Sequence, residues 1–146
     1  MLVFRLVDPR FADLSGTGGM KVDGRWHKKG RRVLYAAQSQ SLAILEKRVH
    51  LRDLPDELRL MKIEVPGPKH WETVKDLPPD WASQRVWTQA YGDRWLAEKR
   101  SVVLQVPSAI VPQEFNYLIN PDHGEFARVK LRSVAPFRMD ARLFRP

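Results

Sequence analysis

The chain has 146 residues, 43% hydrophobic and 29% charged, the balance of one globular domain and too apolar for a disordered chain. It has no cysteine, which excludes a disulfide scaffold, a cysteine zinc site, an iron–sulfur cluster and thiol catalysis. Twenty-five Lys and Arg against seventeen Asp and Glu leave a net charge of +8, which favours anionic partners: nucleic acid, a phosphorylated metabolite or an acidic protein.

Leu2 to Val7 reads as a short strand ended by Asp8-Pro9. Arg5 and Asp8 stand where a signal peptide has its apolar core, and no apolar run approaches the roughly 20 residues of a membrane span. A cytoplasmic location is expected. Ser15 to Gly19 is a loop by composition, and Val33 to Ala37 is an apolar run of strand length. Ser39 or Ser41 caps a helix running to about Leu51. Leu58 to Val65 alternates as a strand and closes at Pro66-Gly67-Pro68. A helical stretch from about Trp81 to Lys99 follows, with a break near Gly92. Val102 to Val106, Phe115 to Ile119 and Val129 to Phe137 are further strands. No repeat or long linker divides the chain, so residues 1–146 form one domain. Strands outnumber helices, and the class is α+β, a single compact mixed-sheet domain.

The four histidines, His27, His50, His70 and His123, show no HExxH or related ligand spacing, so no metal site is expected. Glu46 lies one helical turn after Leu42, at the edge of an apolar stripe of Leu42, Leu45 and Val49, with Lys47 and Arg48 on the other side. A carboxylate there tends to be desolvated; its ordinary alternative is a boundary residue in an ion pair. Arg25 is bracketed by glycines in Gly24-Arg25-Trp26-His27-Lys28-Lys29-Gly30. Its planar fork suits a phosphate or carboxylate. Tyr35 can present a ring and a hydroxyl from a buried strand, and Ser108 stands at a strand end, where sheets often place ligand contacts. Taken singly, each also reads as an ordinary turn or core residue. Gly16-Thr17-Gly18-Gly19 lacks the strand–GxGxxG–helix context of a dinucleotide fold.

Together these residues resemble the RES-domain family, named for an arginine, a glutamate and a serine. The pattern runs through Phe4-Arg5-Leu6, Gly24-Arg25-Trp26, Tyr35-Ala36-Ala37, Ala43-Ile44-Leu45-Glu46, Val106-Pro107-Ser108 and the stretch Asn116 to His123. One departure is His27, where the family usually has Asn or a similar small polar residue. The resemblance implies a toxin of a toxin–antitoxin pair, with a fold similar to the ADP-ribosylating toxins. It implies NAD as a substrate, not a retained cofactor, and cleavage of the nicotinamide–ribose bond with water or phosphate as acceptor. It implies as partner an Xre-type helix-turn-helix antitoxin, with DNA reached only through that partner and a homodimer within the complex.

On that reading Glu46 stabilises the positive charge that builds on the ribose as the bond breaks. Arg25, assisted by Arg5, holds the pyrophosphate. Tyr35 walls the nicotinamide or its ribose, and Ser108 and Asn116 complete the NAD-binding set. Two alternatives stand beside it. One is a protein-directed ADP-ribosyltransferase toxin, which uses the same NAD-side residues. The other is a basic nucleic-acid-binding module without enzymatic activity, whose tryptophans stack on bases.

Overall fold

The computed structural model describes residues 1–146. Its seven strands are β1 (Leu2–Val7), β2 (Leu34–Ala37), β3 (Leu58–Glu64), β4 (Trp71–Thr73), β5 (Val103–Pro107), β6 (Phe115–Ile119) and β7 (Lys130–Phe137). They form one sheet in the order β4-β5-β6-β2-β1-β3-β7. Only β4–β5 is parallel; every other neighbouring pair is antiparallel. The helices are α1 (Gly18–Lys21), α2 (Gln40–Arg48) and α3 (Arg85–Glu98). This is the α+β mixed-sheet domain expected from the sequence. The loop expected at Ser15 to Gly19 ends in the short turn of α1, and β4 was not foreseen.

Alternation across the strands assigns the faces. Val3, Leu34, Met61, Ile63, Val103 and Ile119 belong to one core layer, packed against Phe11, Leu14 and Phe126. On the opposite face, Leu104, Val106 and Leu118 pack with Trp95 and Leu96 of α3 and with Trp26. Beside them, Leu6, Ala37, Leu58 and Leu60 pack with Leu42 and Ala43 of α2. Both long helices therefore lie on one face, and the space between them is where a cleft can form.

Ser39 caps α2, its Oγ accepting from the Leu42 N–H at 3.1 Å. The helix ends at Arg48, earlier than expected. Its inner face also differs from the expected stripe. Leu42 and Ala43 are buried, whereas Leu45 and Val49 are 39% and 60% exposed. A helix face that starts at Leu42 and Ala43 continues one turn later through Glu46 and Lys47, so both are turned inward and half-buried.

The expected helix Trp81 to Lys99 is instead a 3-10 turn, Trp81–Ser83, followed by α3, which runs unbroken through Gly92. Gly92 is there for close approach: a Cβ at this position would collide with the Trp26 carbonyl. The same face of α3 grips the neighbouring turn, with Thr88 Oγ1 donating to the Arg25 carbonyl at 2.6 Å and Gln89 Nε2 to the Gly24 carbonyl at 2.9 Å. The long helix is thus the support on which the Gly-Arg-Trp turn rests.

Candidate functional site

β1 and β2 are sheet neighbours, yet they pair at a single position, Phe4 with Ala37. The row continues from Ala37 to Asn116 on β6. Beyond that one pairing the two strands leave a seam. A cleft of about 570 Å³ opens there, within the roughly 300–1,000 Å³ of small-molecule sites. Phe4, Ala37 and Asn116 line it together with Arg5, the Gly24–His27 turn, Tyr35, Glu46, Lys47 and Arg85. Five of the six expected site residues, Arg5, Arg25, Tyr35, Glu46 and Asn116, therefore share one cleft, although they are scattered along most of the chain.

Ser108 is placed differently. It is fully buried and does not line the cleft. Its Oγ donates to Glu46 Oε1 at 2.7 Å and accepts from the N–H groups of Ile110 and Val111 at 3.1 and 3.0 Å. The hydroxyl expected in the NAD-binding set is instead the support of Glu46. Those two backbone donors fix the hydroxyl's lone pairs, so its one hydrogen is left to point at the carboxylate.

Glu46 forms no ion pair, although Lys47 follows it on the helix. The cations of the cleft are equally free: none of Arg5, Arg25, Lys47 and Arg85 has a salt-bridge partner, whereas most other arginines of the chain do. Arg5 Nη1 donates to the Tyr35 carbonyl across the seam at 3.0 Å, but its buried Nε has no partner. Burial lowers the Arg5 guanidinium to about 10, against weaker support from Tyr35 and Asp13. Burial also lowers the Lys47 ammonium, and the neighbouring Arg5 adds to this. Arg5 remains a cation at neutral pH. Arg25 Nη1 donates to the Ala82 carbonyl at 2.7 Å, and its guanidinium lies 5.7 Å over the Trp81 ring.

Tyr35 and His27 form a closed network. The Tyr35 oxygen accepts the Trp26 N–H at 3.1 Å and lies 2.7 Å from His27 Nδ1, while His27 Nε2 lies 2.9 Å from the Gly19 carbonyl. Burial pushes the Tyr35 hydroxyl well above its ordinary value. It is therefore a neutral phenol and not a base.

Sequence reasoning missed Lys47 and Arg85. The Leu42–Leu45–Val49 spacing reads as the buried stripe and puts Lys47 on the far side of α2, whereas the structure exposes Leu45 and Val49. Arg85 opens α3 at the rim, and nothing in its local sequence marks it. Chemically, the cleft combines one serine-held carboxylate with several cations that form no salt bridge. It suits a polyanionic ligand that carries a bond sensitive to a nearby negative charge.

A family model described as the RES domain matches residues 2–140. The chain belongs to the RES-domain family. Toxin Res from Pseudomonas putida is 43% identical, covering 99% of this chain and 100% of its own length. The Prs ADP-ribosylating toxin of a Sphingobium species is 39% identical over 91% of this chain and 88% of its own. Another Toxin Res, from Photorhabdus laumondii, is 35% identical over 98% of this chain and 97% of its own. Among solved structures, a chain in the crystal structure of the M. tuberculosis MbcT–MbcA toxin–antitoxin complex superposes with a TM-score of 0.77. That match covers 94% of this RES chain and 84% of the other at 18% identity, a likeness of fold.

Proposed function

We propose that this RES protein is the toxin of a toxin–antitoxin pair and that it cleaves the nicotinamide–ribose bond of NAD. One observation carries the reading: the Glu46 carboxylate, held by the buried Ser108 hydroxyl, stands in a cleft whose cations have no acidic partner. The names of its relatives, toxins over nearly their whole length, support the biological half of the reading.

The pyrophosphate supplies the anion that Arg5, Arg25 and Lys47 lack, and an arginine fork meets it with two parallel hydrogen bonds. Tyr35 and Asn116 lie against the nicotinamide riboside. The bond between C1′ and the pyridinium nitrogen then breaks, and nicotinamide leaves with the electron pair. Positive charge builds on C1′ and the ring oxygen. Glu46 stabilises that charge from a fixed position, which is where electrostatic catalysis is strongest. Water or phosphate adds to C1′ and gives up its proton, a transfer that Glu46 can assist.

A second reading keeps the same NAD side and replaces the acceptor with a side chain of a target protein. The 39% identical relative named an ADP-ribosylating toxin favours it. In either case the restraining partner is an antitoxin, of the helix-turn-helix Xre type, that covers the cleft; the setting is the cytoplasm, where NAD is abundant.

The test is to incubate antitoxin-free protein with NAD, with and without phosphate, and identify the products. Nicotinamide with ADP-ribose means hydrolysis. Nicotinamide with ADP-ribose-1″-phosphate means phosphorolysis. No nicotinamide under any acceptor condition, including a cell extract as the source of target proteins, overturns the reading.

A further inference from the structure

We propose that His27 is the positioning residue of the Tyr35 ring: it locks the phenol inward, so that the cleft is offered the ring and not a hydrogen-bond donor. The kinetic part of this inference rests on the NAD reading above; the hydrogen-bond part does not.

The acceptor at Nε2 sets the direction of the bonds around a neutral ring. The Gly19 carbonyl only accepts, so His27 Nε2, 2.9 Å away, carries a hydrogen. In the neutral ring Nδ1 is then an acceptor, and the Tyr35 O–H donates to it at 2.7 Å. The same oxygen accepts the Trp26 N–H at 3.1 Å. The phenol's only hydrogen is thereby used, and the imidazole has no free position. His27 is 2% exposed, so water does not compete for these bonds. The two rings also touch, with centroids 5.5 Å apart.

The backbone is shaped around this contact. A Cβ at Gly24 would strike the Tyr35 hydroxyl and lie 2.7 Å from His27 Nδ1. Gly24 is thus required by the phenol–imidazole pair, not by an unusual dihedral. The turn that holds His27 also carries Arg25, so the residue that fixes the Tyr35 ring and the guanidinium sit on one short segment of the cleft wall. Misplacing a substrate wall by about an ångström is enough to lose on the order of a hundredfold in rate.

Two measurements test this. The first is the 15N spectrum of the His27 imidazole in the full chain without ligand. We expect a protonated Nε2 and a hydrogen-bonded, unprotonated Nδ1 at neutral pH. In Tyr35→Phe the Nδ1 signal should move toward that of an unbonded ring nitrogen. A protonated Nδ1, or a signal unmoved by Tyr35→Phe, overturns the proposal.

The second is kinetic. His27→Phe keeps a ring but no hydrogen-bonding nitrogen, and kcat/KM for NAD should fall about tenfold or more. His27→Gln carries one acceptor and one donor and should recover most of the loss. His27→Phe and Tyr35→Phe act through one bond, so their combination should lose no more than the worse single variant. A lower Tm with native kcat/KM in His27→Phe would make His27 merely structural. If His27→Phe does not fold, the spectrum and Tyr35→Phe decide: loss of the Nδ1 bond in Tyr35→Phe with native kcat/KM refutes the proposal. If the native chain releases no nicotinamide, the NAD reading fails and the spectrum alone judges His27.

Discussion

Two depressions of this molecule, about 570 Å³ at the β1–β2 seam and about 520 Å³ beside β4, are similar in size and differ in how their carboxylates are paired. Beside β4 both carboxylates are answered by a basic partner. Arg100 bonds to both oxygens of Glu72 at 3.0 Å, Tyr91 donates to Glu72 at 2.6 Å, and His70 meets Glu125 at 2.6 Å. At the seam no cation of the cleft forms a salt bridge; of the two lining carboxylates, Glu46 meets a serine and Asp23 the Lys29 N–H. Ion pairs hold a local structure together and leave little potential outside. Unpaired cations in a concavity destabilise the fold slightly and leave a field for a ligand. The contrast marks the β4 side as scaffold and is the reason the proposed function is placed at the seam.

The largest loss of NAD affinity should come from Arg5. Arg5→Gln removes the half-buried cation whose Nε has no partner, and NAD affinity should fall by about 2–3 kcal/mol. Its Tm should hold, which calorimetric titration and a thermal melt on one preparation would check. Ser108→Ala should affect both regions' properties at once. It leaves Glu46 without its donor and two backbone N–H groups without their acceptor, for a loss of about 1–3 kcal/mol of stability together with slower turnover and unchanged NAD affinity.

Arg100→Met should give the mirror image of Arg5→Gln: a stability loss of about 1 kcal/mol, since the pair is partly exposed, with NAD kinetics like the parent. The smallest effect is one of pH. Burial tends to raise the Glu72 carboxyl, but hydrogen bonds from Arg100 and Tyr91 prevail and hold it below its ordinary value. Its contribution is thus present above the unfolded carboxyl's range and lost as pH falls through the folded value. The parent's Tm should drop more than that of Arg100→Met on acidification below about pH 4.5.

Most of the strands were legible because burial writes itself into apolar runs. Leu2–Val7 and Phe115–Ile119 match residue for residue. β4 was not, since its three residues are held only by β5 and carry no pattern of their own. Gly92 was misleading: it reads as a helix break, but its cause is the Trp26 backbone crossing α3, a contact no local window contains. The site shows the same limit. The residue types at Arg25, Tyr35 and Glu46 were readable, and their convergence follows from β2 lying between β1 and β6. Which way α2 faces was not readable, because Leu45 and Val49 are apolar and yet exposed. That exposure reversed the place of Lys47. The role of Ser108 depends on a hydrogen bond between residues far apart in sequence, which its type alone could not specify.

Glu46→Gln bears most directly on the central claim. The change is nearly isosteric and removes only the charge. Turnover and NAD affinity should be measured on the same purified protein. A carboxylate that acts on the developing ribose cation predicts turnover lower by about a hundredfold, roughly 3 kcal/mol, with NAD affinity close to the parent's, since that charge matters most in the transition state. Turnover equal to the parent's would contradict it and leave Glu46 an ordinary half-buried glutamate.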